Sequence, residues 1–268
     1  MRFSYTAVWE DTVRLIRAHG SLAAALAGVF LLLPGLLFGH FLPVPTTSEP
    51  ADLVPIVMEH YRANAHWMLL SGIVTMAGTL AILLLVFRPS LAVGGAIAAS
   101  LAILPFYFIA NLLTSIALVI GFAFLIVPGL YLLGRLVPLP ALMVAENRKN
   151  PIDAIRGTWA LTKGHGWAVL GLFLLVFIAG FILTAVAGGI INTILRLALP
   201  DHLAIFLSLF VSSLLSTILQ IVAIFLYAAI YRALSVRAQG VGSADDVLVK
   251  RGPARITGTS GEGGDSAA

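Results

Sequence analysis

From residue 101 to residue 145 the chain carries one charged side chain, Arg135, in an otherwise apolar run. A helix that crosses the roughly 30 Å hydrocarbon core of a bilayer needs about 20 mostly apolar residues. The run is about twice that length and must fold back on itself. Val127-Pro128-Gly129 is the natural place, because proline and glycine interrupt a helix. This predicts spans over about 101–126 and 130–145, with Pro105, Pro138 and Pro140 leaving broken or re-entrant segments open as the alternative. Four more runs of spanning length cover about 21–42, 66–87, 166–191 and 203–231. Hydrophobic residues make up 60% of the 268 and charged residues 10%, against about 45–50% and about 25% in soluble proteins. Too little polar surface remains to cover a water-exposed globule, and the apolar runs show no heptads. The fold class expected is all-α, a polytopic membrane protein of six transmembrane helices. Cysteine is absent, which removes disulfides, thiolate zinc sites and thiol nucleophiles together.

The first run reads as a permanent helix. Glu10 and Asp11 occupy what would be the positive region of a signal peptide, and Phe41-Leu42-Pro43 ends the run without a small-residue cleavage site. Basic residues then set the orientation. With both termini in the cytoplasm, Arg62 and Arg196 alone lie outside, and Arg135 lies within the membrane. Every other lysine and arginine falls inside, so the location expected is a bacterial cytoplasmic membrane with both termini cytoplasmic. The charge bias accounts for the basic balance without a nucleic-acid partner.

Two segments between the spans are amphipathic. Residues 1–20 form an interfacial helix in which Tyr5, Val8, Trp9, Val13 and Ile16 share a face, with Glu10, Asp11, Arg14 and Arg17 largely opposite. The alternative is a short helix packed on its own protein. Residues 150–164 form the second, with Asn150 as N-cap, Pro151 at the first helical position and Asp153 in the first turn. Ile152, Ile155 and Trp159 share its apolar face, and Arg156 and Lys163 lie elsewhere on it. Arg14, Arg17, Arg156, Lys163, Trp9 and Trp159 are therefore expected at the cytoplasmic headgroup level. The two segments align at a constant offset, pairing Thr12 with Thr158, Arg17 with Lys163 and His19 with His165, which suggests a repeat. The external loop 43–65 is acidic, with a short helix from Pro55, and 238–268 reads as a disordered tail after a membrane domain of 21–237.

Catalytic patterns are sparse. His60 and His66 are wrongly spaced for one helical face, and no HExxH, GxSxG, Walker A or GxGxxG pattern occurs. No metal site or cofactor is expected. Arg135 stands out, because a guanidinium inside a bilayer costs roughly 2.5–3.5 kcal/mol on insertion scales and so faces protein or a hydrated cavity. Glu146, about three turns along the same face, is its expected partner, and the pair could serve structure or bind an anion. Asn111, Asn192 and Gln220 read as interhelical hydrogen bonders, and Gly35 and Gly39 as a close-packing pair.

The stretch 127–167, VPGLYLLGRLVPLPALMVAENRKNPIDAIRGTWALTKGHGW, resembles the membrane domain of some glycerophosphoryl diester phosphodiesterases and of related uncharacterised bacterial inner-membrane proteins. The resemblance is carried by Tyr131, Arg135, Pro140, Glu146 and Pro151, then Ala154, Trp159, Leu161, Thr162, Lys163, Gly164 and Trp167, with Thr158 where the family has serine. It implies that Arg135, Glu146 and Tyr131 belong to a ligand site. In such enzymes hydrolysis belongs to a separate (β/α)₈ barrel of about 250 residues, for which the residues after the sixth span are too few. The function expected is therefore non-catalytic, organising or binding lipids or membrane partners, with a small transporter or permease for an anionic or lipid-derived solute as the alternative. Membrane lipids are the expected partners, beside a membrane protein or a second copy of the chain.

Overall fold

The structure, a computed structural model, describes residues 4–43 and 50–250, with side chains placed over 4–43 and 53–237. Among these residues every regular element is helical: α1 (Tyr5–Ala27), α2 (Leu33–Phe41), α3 (Pro50–Ala63), α4 (Ala65–Phe87), α5 (Val93–Phe124), α6 (Ile126–Leu136), α7 (Leu139–Ala145), α8 (Pro151–Leu161), α9 (Gly166–Ala198) and α10 (Asp201–Lys250). Six segments are long and apolar enough to cross a membrane: Tyr5–Phe41, Ala65–Phe87, Val93–Phe124, Ile126–Ala145, Gly166–Ala198 and Asp201–Arg237. The protein is an all-α, polytopic membrane protein.

The segment before the first span is not a separate helix. From Tyr5 to Phe41 the chain is helical throughout, with one π turn over Gly28–Leu32 joining α1 to α2. Pro34 explains that turn: its ring has no N–H to donate and would strike the carbonyl of Phe30, so the helix widens there. Val8, Thr12 and Leu15 are buried, whereas Tyr5 and Trp9 are exposed. Part of the face expected to lie at the headgroups is thus packed on the protein itself, and part is left open. Asp11 turns inward, pairing with Arg14 and lying 3.7 Å from Arg232 on α10.

The turn between the third and fourth spans falls at Leu125, whose backbone is extended (φ −163°, ψ 147°), two residues before the expected start of the turn. Pro128 lies in the first turn of α6, where a missing N–H leaves no bond unmade. Gly129 lets α6 lie against α5, because a Cβ there would meet the Phe122 ring at 2.5 Å. The third span begins at Val93, so residues expected to precede it are its first turns, and Pro105 lies within it. The fourth is broken after Leu136 and resumes as α7. Helix α3 starts at Pro50 with Pro55 inside it. The sixth span continues as helix to Lys250, into the stretch read as a tail, and residues 251–268 lie outside the described residues.

The core gathers at one end of the bundle. Leu80–Leu84 of α4, Ala141–Val144 of α7 and Phe225, Leu226, Ala228, Ala229 and Ile230 of α10 are almost fully buried, with Val8 and Leu15 of α1 packed on them. Elsewhere large apolar side chains such as Ile120, Phe124, Leu183 and Leu197 are exposed. A soluble monomer does not carry apolar surface on this scale, and acyl chains are its solvent.

The suggested repeat is partly visible. Thr12 and Thr158 are both fully buried, and each donates to the carbonyl four residues back at 2.8 Å. The chain then diverges: α1 runs straight through His19, whereas α8 ends at Leu161 and His165 starts a new helix. Gly164, at φ +78°, makes that corner, and Gly20 has no such conformation.

Candidate functional site

Helices α6 and α9 touch at two glycines. A Cβ on Gly134 would come within 2.6 Å of the Gly166 carbonyl and of Leu170 Cβ, and one on Gly166 within 2.7 Å of Arg135 Cδ. Without those side chains the stem of Arg135 crosses the first turn of α9, so its guanidinium lies level with the corner between α8 and α9. Arg135 is 4% exposed. Its Nη1 donates to Tyr131 Oη at 2.9 Å, one turn back on α6, and its Nη2 donates to the Trp159 carbonyl on α8 at 2.5 Å. The Trp159 ring lies 4.1 Å from Cζ by centroid and the Tyr131 ring 5.5 Å. These faces attract the cation through their quadrupoles, by about 0.5–2 kcal/mol for such contacts depending on desolvation. Tyr131 in turn meets Trp159 edge-on at 6.1 Å and Trp167 at 5.7 Å. The buried Thr162 hydroxyl is shared between the carbonyls of Thr158 (2.8 Å) and Arg135 (3.2 Å), tying the end of α8 to α6.

The expected ion pair with Glu146 is not formed. The helix is interrupted at Val137–Pro138, where Pro138 leaves the helical conformation (φ −82°, ψ 9°), so a three-turn spacing counted along an unbroken helix does not apply. Glu146 binds Arg148 instead (Nε to Oε2, 2.6 Å) and accepts from Tyr231 Oη at 3.0 Å. Arg148 also reaches the Asp153 carbonyl at 2.9 Å. Glu146 is therefore a clamp between the α7–α8 connection and α10, apart from the arginine site. Among the described residues no carboxylate pairs with Arg135, and its Nε is buried without a hydrogen-bond partner.

Arg135 opens on a groove of about 640 Å³ lined by Tyr131, Arg156, Trp159, Lys163 and Gly164. A smaller hollow of about 370 Å³, lined by Arg148, Lys149 and Asp153, shares Arg156 with it. The larger groove offers three cations and a phenol, with no carboxylate in its lining. The chemistry of such a lining suits an anion. Tyr131, Arg135, Arg156, Trp159 and Lys163 thus converge, while Arg14, Arg17 and Trp9 lie apart on α1. Trp9 and Tyr5 border a different, apolar groove between α9 and α10. Gly134 and Gly166 carry no signal for this site in the sequence, since close contact between distant glycines leaves no periodic pattern, and Thr162 stands there only among the residues of the motif.

Among the described residues no group of three histidine, aspartate or glutamate side chains converges on a metal-sized space. Asn192 does face α10, with Nδ2 3.5 Å from Ser212 Oγ, and a Cβ on Gly39 would meet Leu209 Cδ1 of α10 at 2.3 Å. Both bear out their reading as contacts between helices. Comparison of the chain with protein-family models, curated proteins and solved structures finds no match in any of the three.

Proposed function

We propose that this integral membrane protein is non-catalytic and binds anionic lipid at the cytoplasmic surface, through the groove between α6, α8 and the corner that leads into α9. The observation that carries the reading is the buried, carboxylate-free guanidinium of Arg135 opening on a groove whose other charges, Arg156 and Lys163, are also positive. A purely structural arginine would be expected to meet a carboxylate or to have every donor taken up. The position of the groove fits the role. Trp159 and Trp167 flank it and are exposed, as indoles are where one end is apolar and the other wet. That residues of the phosphodiesterase-like motif meet in space supports reading them as one functional unit, with the chain related to that membrane domain.

Thermal unfolding of the full chain in neutral detergent tests this. Phosphatidylglycerol should raise the midpoint and phosphatidylcholine should not, the gain reaching about 2.7 kcal/mol at a concentration near 100 Kd. Arg135→Gln should remove the shift. The double variant Arg156→Gln/Lys163→Gln, altered at the rim, should reduce it without loss of fold. Equal shifts from both lipids would overturn the reading. The break after Leu136 favours one second reading, transport, since discontinuous helices line many solute sites. Counterflow of labelled glycerophosphodiesters in proteoliposomes, lost in Arg135→Gln, would establish it in place of the first.

A further inference from the structure

We infer that the groove selects a phosphomonoester, a phosphate held through one ester oxygen, whether that group sits on a lipid or on a soluble solute. The inference rests on the anion-binding reading above and names the anion. Arg135, Arg156 and Lys163 line one groove with no carboxylate among its walls, and none of the three has an ion-pair partner among the described residues. A phosphodiester brings a single negative charge and leaves most of that field uncompensated. A monoester brings about −1.5 to −2 at pH 7, with three strong acceptor oxygens for three separate donors.

The aromatic walls argue in the same direction. Quaternary ammonium headgroups are held by open aromatic faces. Here the Trp159 face is already covered by Arg135 at 4.1 Å, and the Tyr131 ring lies 5.5 Å from the same guanidinium. A choline or ethanolamine group would meet positive charge where it needs negative. The protein's own cation thus lies over both rings, which disfavours a cationic headgroup beside them. The volume, about 640 Å³, is within the range of small-molecule sites and accommodates a phosphate with its glycerol. Trp167, exposed and in ring contact with Tyr131, continues the wall toward the lipid-facing surface of α9, where acyl chains can lie.

Native mass spectrometry of the full chain in neutral detergent can compare phosphatidic acid, phosphatidylglycerol and phosphatidylcholine of identical chains, with inorganic phosphate and glycerol 3-phosphate as soluble competitors. Phosphatidic acid should bind about tenfold more tightly than phosphatidylglycerol, the scale of one charge-assisted hydrogen bond. Lys163→Gln and Arg156→Gln should each narrow that preference, and Lys163→Arg should keep it. Displacement of phosphatidic acid by glycerol 3-phosphate at equal concentration would support the phosphomonoester and assign it to a soluble source. Failure to displace it would support the lipid source. Equal binding of phosphatidic acid and phosphatidylglycerol, both above phosphatidylcholine, would overturn the inference and leave anionic-lipid binding standing. Equal binding of all three would overturn both.

Discussion

Arg135 shows how much one residue's environment owes to atoms that are missing. Its stem passes where Gly166 has no Cβ, and α6 reaches α9 because Gly134 has none either. Gly134→Ala would place a methyl 2.6 Å from a backbone carbonyl that cannot rotate away. The expected cost is about 1–3 kcal/mol, as for other overpacked contacts, read as a lower unfolding midpoint in detergent. Gly72 is the control, since a Cβ there meets nothing within 4 Å. Gly72→Ala should be neutral or stabilise α4 by up to about 1 kcal/mol, because alanine loses less backbone entropy in a helix. A larger loss from Gly72→Ala than from Gly134→Ala would contradict the close approach of α6 and α9.

Helix α8 carries the rim of the groove, and its start is built locally. The Asn150 side chain accepts from the backbone N–H groups of Ile152 (3.0 Å) and Asp153 (3.4 Å), and Pro151 fills the first position. Asn150→Ala should cost about 1 kcal/mol, the usual value of an N-cap. Amide exchange in the first turn of α8 should quicken, and exchange in the middle of α9 should not change. Uniform acceleration across both helices would mean that α8 is not an independently frayed unit. On its inner side α8 is small and self-satisfied: Ala154, Thr158 and Thr162 are fully buried, and both threonine hydroxyls reach carbonyls. That smooth face lets α8 lie close to α6, which is why Trp159 can offer its carbonyl to Arg135.

For the whole molecule, the distribution of basic residues predicts an orientation. The chain has no cysteine, so single introduced thiols report location without background. Asn64→Cys and Pro200→Cys should react with a membrane-impermeant maleimide added to intact cells. Ser90→Cys and Lys149→Cys should react only after the membrane is opened. The reverse pattern would place the Arg135 groove outside and sink the cytoplasmic-lipid reading with it. The architecture also concentrates rigidity. The tight core of α4, α7 and α10 and the ion pairs of Asp11 and Glu146 lie at the basic end, so that end should open last on unfolding.

Six spans, the cap of α8 and the surplus of charge at one side could be read from the chain because each is local. In a bilayer every backbone polar group must find its partner within the segment, so an apolar run of sufficient length already specifies a helix. The exceptions were local events that neighbours decide. Pro128 could be read as a turn, yet the first turn of a helix tolerates it, and packing of Gly129 on Phe122 selected that outcome. Likewise Thr12 and Thr158 share a pattern and a packing, but only Gly164 breaks the chain after one of them. The partner of Arg135 was beyond reach of spacing arguments. Counting turns to Glu146 assumes an unbroken helix, and the break at Val137–Pro138 removes that assumption. What surrounds Arg135 instead comes from a carbonyl 24 residues away and from two glycines on different helices. Long-range contact, set by how closely helices can approach, decides such a site, and no segment of the sequence carries it alone.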